Sequence, residues 1–270
     1  MQFVDFEYDG VSLSSRGMMI VSFNGAQDDA ITTDSQRNFE SISLFGGKYQ
    51  PFVFSTYDDR LEIEFSIGKN ICEDRDGNHY FTISEIESTQ YWLNRPTPHI
   101  FKILRDSEYA DVYWEGSFNL EWVKSGENVI GFNATFISNR PYGLGAESLH
   151  TKELTPFNSL IINDFSFDEG SIIPTIIITV RESGNLEFTN TFNGKETVTK
   201  IDNCINGEQL TFTALQQLLT SRASHNVYSD FNWVFPRIYN LYGEIENTFT
   251  SNLNCSCAIS YNPIRKVTFS

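Results

Sequence analysis

The stretch that decides the fold is Leu61–Ile67, which reads Leu-Glu-Ile-Glu-Phe-Ser-Ile. Apolar side chains stand at every second position, and polar ones stand between them. Successive residues of a β-strand point to opposite faces, so this pattern predicts a strand that buries one face and leaves the other in water. We therefore expect Glu62 and Glu64 on the solvent side of a sheet.

The same period of two recurs in both directions from this stretch. Ser117–Trp122, Val129–Ile137 and Ile161–Phe167 all alternate, and Asn193-Gly194 and Asn206-Gly207 are typical of tight hairpin turns. Aromatic residues make up 14% of the chain, and such residues suit half-buried pleated surfaces. The sequence therefore predicts a mainly β protein.

One short helix interrupts this pattern, and we predict it over Ser84–Asn94. Ser84 and Glu87 have the spacing of a capping box, and Pro96 would end the helix. The segment Ala214–Ser221 also has helical propensity, but it lies between strand-like runs. Both a helix and a strand followed by a loop remain open for it.

A cluster of turn-forming residues suggests a domain boundary. Asn139–Gly145 (NRPYGLG) contains one proline and two glycines directly after a strong strand pattern. A chain of 270 residues is long enough for two domains. We predict that residues 1–145 form the first domain and residues 146–270 the second.

The charge balance bears on the partners of the chain. There are 35 acidic and 19 basic residues, giving a formal net charge of -16. A polyanionic surface repels phosphate groups, so we expect neither direct nucleic-acid binding nor binding to anionic membranes. The N-terminal stretch MQFVDFEYDG has no basic and apolar regions of a secretory signal, and no run reaches the roughly 18 apolar residues of a membrane helix. We expect synthesis in a cytoplasm without export and without membrane insertion.

The four cysteines are Cys72, Cys204, Cys255 and Cys257. They are too few and too unevenly spaced for a disulfide framework, and the four histidines supply few further metal ligands. We interpret the cysteines as reduced structural thiols and predict no metal and no cofactor.

Carboxylates are the remaining candidates for catalysis, and a glycoside hydrolase would need two of them facing each other across a cleft. The densest groups are Asp58-Asp59, Glu62 with Glu64, and Asp168-Glu169. The second group shares a solvated strand face, and the third has the composition of a turn. No nucleophile elbow, paired-histidine site or phosphate-binding loop is present either. We predict that the protein is not an enzyme.

A carbohydrate-binding surface is a stronger alternative, centred on Trp233. Sandwich lectins stack an aromatic ring on a sugar while polar groups bind its hydroxyls, and Arg237 and His225 lie near Trp233 in sequence. The competing interpretation places Trp233 in the core with Phe235 and Ile238. We favour the core, because buried aromatic side chains are more common than exposed ones.

Several stretches in fixed order resemble the distal tail protein family of long-tailed bacteriophages and prophages. Together they extend over nearly the whole chain. They are Tyr91–Pro96 (YWLNRP), His99–Ile103 (HIFKI), Tyr109–Tyr113 (YADVY), Gly116–Phe118 (GSF), Asn139–Gly143 (NRPYG), Ile172–Ile178 (IIPTIII), Phe235–Ile238 (FPRI) and Cys257–Pro263 (CAISYNP).

The resemblance implies a specific architecture and function. Members of this family form a hexameric ring at the tail tip, which joins the tail tube to the tail-associated hub or lysin protein. Their N-terminal β-barrel or sandwich builds the ring, and a galectin-like C-terminal sandwich decorates it. In some relatives the sandwich holds receptor-binding proteins. The expectation for this chain is a virion protein of the structural type, and the alternative is a monomeric lectin that binds host glycans.

A ring closed by rotation requires two different surfaces on each subunit. Two polar or turn-rich segments, Asn24–Asn38 and Phe45–Pro51, are long enough to reach a neighbouring subunit. The interface residues that we predict in them are Asn24, Asp28, Asp29, Thr32, Asp34, Phe45 and Tyr49.

Overall fold

The structure is a computed structural model and describes residues 5–23, 37–42, 52–57, 60–70, 79–104, 112–214, 216–223, 226–241 and 245–265. These residues form two compact units. Unit 1 extends up to Leu144, and unit 2 spans Gly145–Arg265. We keep residues 1–145 and 146–270 as the proposed domains.

The described part of the chain up to Gly145 consists mostly of strands. In chain order its elements are β1 (Asp5–Tyr8), β2 (Val11–Ser12), β3 (Met18–Val21), β4 (Arg37–Ile42), β5 (Phe52–Tyr57), β6 (Glu62–Lys69), α1 (Ile83–Leu93), β7 (His99–Leu104), β8 (Val112–Ser125), β9 (Asn128–Ser138) and β10 (Gly143–Gly145).

The main sheet of unit 1 is antiparallel, with the strand order β2-β1-β7-β8-β9-β6-β3. Strands β4 and β5 pair separately as an antiparallel hairpin. Strand β6 behaves as its alternation predicts: Ile63 and Ile67 are buried, whereas Glu62 and Glu64 are exposed.

The core of unit 1 is a cluster of aromatic rings with Phe6 at its centre. The Phe6 ring lies 5.2 Å from Phe65, 5.5 Å from Phe101 and 5.9 Å from Trp92 between ring centroids. Trp92 belongs to α1, and its indole Nε1 donates a hydrogen bond to the Tyr8 carbonyl at 3.0 Å. One fully buried side chain therefore attaches the helix to the sheet by both packing and a hydrogen bond.

The helix starts earlier than predicted, and the Ser84–Glu87 capping box is wrong. Thr82 is the N-cap: its hydroxyl accepts from the Glu85 N–H at 3.3 Å, and the Glu85 carboxylate accepts from the Thr82 N–H at 2.7 Å. Both residue pairs have the same spacing. The earlier pair is used because the buried Phe81 already ties the chain to the sheet through its N–H bond to the Val129 carbonyl, at 2.9 Å.

Unit 2 contains β11 (Ser148–Leu154), β12 (Leu160–Asp164), β13 (Gly170–Ile172), β14 (Thr175–Val180), β15 (Gly184–Phe192), β16 (Lys195–Cys204), β17 (Gln209–Thr213), β18 (Leu218–Ser221), α2 (Val227–Asp230), β19 (Ile238–Asn240), β20 (Ile245–Ser251), β21 (Cys255–Tyr261) and β22 (Ile264–Arg265).

Two antiparallel sheets make up most of unit 2. One has the order β11-β21-β14-β17-β18 and the other β12-β20-β15-β16, while β13 pairs with β19. A single apolar core contains Ile176 and Ile178 from the first sheet and Phe188 and Phe249 from the second. Because the inner faces of both sheets contribute to one core, unit 2 is a β-sandwich.

Turn chemistry sets the hairpins of unit 2. Asn193 and Gly194 have φ angles of 45° and 71°, and they join β15 to β16 directly, with Phe192 opposite Lys195. Asparagine and glycine tolerate this left-handed backbone, so the hairpin predicted at Asn193-Gly194 is confirmed.

Three segments of unit 2 have a structure that the sequence analysis did not predict. The apolar run Ile172–Val180 is divided at Pro174 between β13 and β14. Ala214, Gln216 and Gln217 lie in turns before β18 begins at Leu218, so the helical propensity of this segment is overridden. The short helix α2 had no recognisable signal in the sequence. The prediction of a mainly β chain with a C-terminal sandwich is confirmed.

We predict that Thr82→Ala lowers the free energy of unfolding by about 1 kcal/mol, because it removes the hydroxyl that caps α1. Ser84→Ala is the matched control and is expected to change stability by less than about 0.5 kcal/mol. Urea unfolding followed by circular dichroism measures both. A larger loss for Ser84→Ala than for Thr82→Ala would contradict the observed cap.

Candidate functional site

The structure describes two of the predicted site residues, Trp233 and Arg237. His225 lies outside the described residues. All the predicted interface residues lie outside them too, namely Asn24, Asp28, Asp29, Thr32, Asp34, Phe45 and Tyr49. The site that can be built from contacts is therefore the loop around Trp233, between α2 and β19.

Asn232 fastens this loop to the edge strand β16. The Asn232 N–H donates to the Lys200 carbonyl at 3.1 Å, and its side-chain Oδ1 accepts from the Lys200 N–H at 3.0 Å. Its Nδ2 donates to the Val198 carbonyl at 2.9 Å. Asn232 thus makes the bonds of a neighbouring strand, and its side chain is committed to the fold.

Trp233 follows directly, and the expectation that it is a core residue is wrong. Its side chain is 63% exposed, and its φ angle is 62°. A left-handed backbone turns the side chain away from the direction that an extended strand would give it. For a bulky residue this conformation is also unfavourable, and it persists where the surroundings enforce it. Phe235 and Ile238, which were expected in the same core, do pack there.

The indole of Trp233 is supported by other aromatic rings. Tyr228 stacks against it, with ring centroids 5.9 Å apart and planes inclined by 23°. Buried Phe231 lies behind it at 5.7 Å and contacts Phe212 of the core at 6.0 Å. A continuous row of rings therefore leads from the sandwich core to an exposed indole.

Arg237 belongs to a different part of the loop. Its guanidinium donates to the Ser171 hydroxyl on β13 at 3.1 Å, and its carbonyl accepts from Asn190 Nδ2 at 2.5 Å. Within the described residues no hydrogen bond or cation–π contact joins Arg237 to Trp233. The structure therefore gives Arg237 a role in holding β13 and does not bring it to the indole.

Buried polar side chains in unit 2 are also committed to structure. Asn247 accepts from the Tyr239 N–H at 2.8 Å and donates to the Tyr239 carbonyl at 2.9 Å. Asp164 accepts from Asn240 at 3.0 Å and from the Ser166 hydroxyl at 3.0 Å. These bonds tie the segment after Trp233 to the four-stranded sheet.

The thiols of unit 2 are unsuited to nucleophilic chemistry. Burial raises the pKa of Cys204 to about 12, and it raises the pKa of Cys255 and Cys257 as well. A thiol with a raised pKa holds little of the reactive thiolate at neutral pH. Cys72 lies outside the described residues.

The described residues contain no group of three or more histidine, cysteine or acidic side chains placed to hold a metal ion. In the same part of the chain, no helix has the length and apolar composition needed to cross a bilayer.

Several large apolar side chains lie on the surface of both units, and the sequence reading did not identify them. Phe157 is 97% exposed at the tip of the β11–β12 turn, and Tyr91 and Ile83 are exposed on α1. The Phe157 turn is held by Asn158, whose Oδ1 accepts from the Thr155 N–H at 2.9 Å. The only signal in the sequence was an aromatic residue after a proline in a turn.

Comparison with protein families gives two matches that follow one another along the chain. A phage tail protein N-terminal domain matches residues 1–140, and a phage tail C-terminal domain matches residues 142–261. No individually curated protein matches the chain.

Among solved structures, the chain is similar to the Dit protein of phage SPP1, described as a paradigm of the hub adsorption apparatus in phages that infect Gram-positive bacteria. The TM-score is 0.67 at 12% identity, covering 97% of this chain and 99% of that chain. This likeness establishes the fold alone. Chains of the phage P2 baseplate in its activated conformation, with calcium or strontium, cover 100% of both chains at 10% identity. Their TM-scores are 0.41 and 0.39.

We predict that Trp233→Gly is more stable than Trp233→Ala by about 1 kcal/mol, because both remove the indole but glycine alone adopts a positive φ without steric strain. Thermal and urea unfolding measure the difference. Thr189, on the middle of β15, provides the matched control: there the glycine variant is expected to be the less stable one. If the alanine variant is the more stable one at Trp233 as well, the backbone there is unstrained.

Proposed function

The chain belongs to the phage tail protein family, as its resemblance in sequence predicted, and from this premise we propose that it is a structural distal tail protein. In this role it forms a ring at the tail tip, of six copies, that connects the tail tube to the hub. It acts through assembly and not through catalysis. The observation that carries the proposal is the succession of the two phage tail domains over nearly the whole chain.

The surface of the described residues supports an assembly role. Exposed aromatic side chains, such as Phe157 at 97% and Tyr91 at 83%, are available for contact with a partner. They occur on both units, as expected for a protein that touches more than one neighbour. The hydrogen-bonded turn beneath Phe157 holds its backbone in place before any partner binds, which reduces the entropy lost on binding.

A ring of identical subunits needs two different surfaces on each copy. We assign one of them to the polar segments Asn24–Asn38 and Phe45–Pro51, which are long enough to reach an adjacent copy. The partners along the tail axis are then the tail tube protein on one side and the hub or lysin protein on the other. Receptor-binding proteins are the candidates for the outer surface, where unit 2 would lie.

The charge of the chain fits this location in the virion. The net charge of -16 per copy is multiplied around a ring, and we propose that part of it lines the wall of the central channel. Such a wall repels the phosphate backbone, so DNA passes through a central channel without binding to it. We propose that the chain is synthesised and assembled in the bacterial cytoplasm.

The alternative function is a monomeric lectin for host glycans, and one observation favours it: the exposure of Trp233. The two functions differ in the size of the particle in solution. A ring and a carbohydrate-binding surface are also compatible in one protein, so the oligomeric state and the role of Trp233 require separate experiments.

We predict that the purified full chain assembles into a closed ring of six copies. Native mass spectrometry or light scattering is expected to give about 185 kDa, six times the 30.9 kDa of one chain. A mass that stays at one copy at micromolar concentration would contradict the ring and favour the lectin.

We predict that the double variant Asp28→Lys/Asp29→Lys weakens ring assembly at least about tenfold, because it reverses charges in a segment assigned to the interface. Glu196→Lys/Asp202→Lys makes the same charge change at exposed positions of β16 and serves as the control. Sedimentation velocity over a range of concentrations measures both. Equal assembly of the two variants would remove Asn24–Asn38 from the interface.

A further inference from the structure

The rings of Tyr228 and Trp233 form a stacked pair on the surface of unit 2, with centroids 5.9 Å apart. We infer that this pair, named here the indole platform, binds neutral carbohydrate chains by stacking on the apolar face of a sugar ring. The inference does not depend on the oligomeric state, because every contact that forms the platform lies within unit 2.

The first argument is conformational. Trp233 is held at a positive φ, where asparagine or glycine would fit more easily, and it is nevertheless the largest side chain in the genetic code. Strained backbone of this kind is concentrated at binding sites. The strain places the indole in water, which is the opposite of what packing alone would favour for this side chain.

The second argument is rigidity. Asn232 donates hydrogen bonds to the Lys200 and Val198 carbonyls and accepts one from the Lys200 N–H, and the Thr199 hydroxyl donates to the Val234 carbonyl at 2.8 Å. These bonds fix the backbone on both sides of Trp233. Tyr228 and Phe231 limit the rotation of the indole itself. A ring that is already immobile loses little entropy when a flat ligand stacks on it.

The third argument concerns the surroundings of the rings. Asn203 donates from Nδ2 to Asp230 Oδ1 at 3.3 Å, and exposed Asn226 and Ser229 lie on the same turn as Tyr228. Amides, hydroxyls and carboxylates are the groups that bind sugar hydroxyls, and they lie on or beside the short helix that carries Tyr228.

Charge selects among glycans. Asp230 belongs to the platform's own turn, and Asp202 and Glu187 lie on β16 and β15, where the Lys200 ammonium donates to the Glu187 carboxylate at 2.5 Å. The whole chain is strongly acidic as well. Phosphate-bearing or uronic-acid glycans would therefore be repelled, and neutral chains of hexose or N-acetylhexosamine units are the class that fits.

The test uses the full chain on an array of neutral bacterial surface polysaccharides and of β-linked hexaoses of glucose, galactose and N-acetylglucosamine. Anionic polyol-phosphate polymers and hyaluronan are printed beside them. We expect binding to at least one neutral glycan, a loss of at least tenfold for Trp233→Ala and Trp233→Gly, and partial retention for Trp233→Phe. Phe157→Ala, which removes an exposed ring from another turn of unit 2, is expected to bind as the wild type does.

Each outcome either supports or overturns carbohydrate binding by the indole platform. Absence of wild-type binding to every printed glycan overturns the inference, as does undiminished binding by Trp233→Ala with native thermal unfolding. A change in particle mass for Trp233→Ala without any glycan binding would assign the platform to a protein contact instead. The mass of the wild-type particle tests the ring independently, so failure of one proposal is distinguishable from failure of the other.

Discussion

Burial of alternate residues on one face of antiparallel strands is the constraint on which both units depend. In unit 1 it brings Phe6, Phe101, Phe118 and Phe136 to one side of the sheet, where their rings pack at centroid distances between 4.3 and 5.6 Å. In unit 2 it brings the inner faces of two sheets together. A shift of any one strand by a single residue would move its whole apolar set into water, so register and core specify each other.

The same constraint explains why the functional features lie outside the sheets. A sheet that is committed to a core on one face has little freedom in its side chains, and its edges must be protected from pairing with other chains. At the β16 edge this protection comes from Asn232, which occupies the place of a further strand. The loop that protects the edge is thereby fixed, and the residue after Asn232 can be presented to solvent in one orientation.

Much of the fold could be read from the sequence because it rests on local signals. The alternation in β6, the Asn193-Gly194 turn and the presence of α1 each follow from a few neighbouring residues. The start of α1 was misplaced because Thr82 and Ser84 offer equivalent caps, and the choice between them depends on a bond from Phe81 to Val129, which is remote in sequence. The exposure of Trp233 was missed for the same reason, since Asn232 is held by Lys200, 32 residues away.

Trp233 departs from a rule that the rest of the sequence largely follows. Among the described residues, the other non-glycine positions with a positive φ are Asp9, Asn193 and Asn203, which tolerate it, and Gln217 as a further exception. A sequence shaped by folding alone would have such a residue at position 233 too, and would gain stability from it. Most of this sequence follows its local backbone preferences. A position that departs from them and also exposes an apolar ring is explained by selection for binding and not for folding.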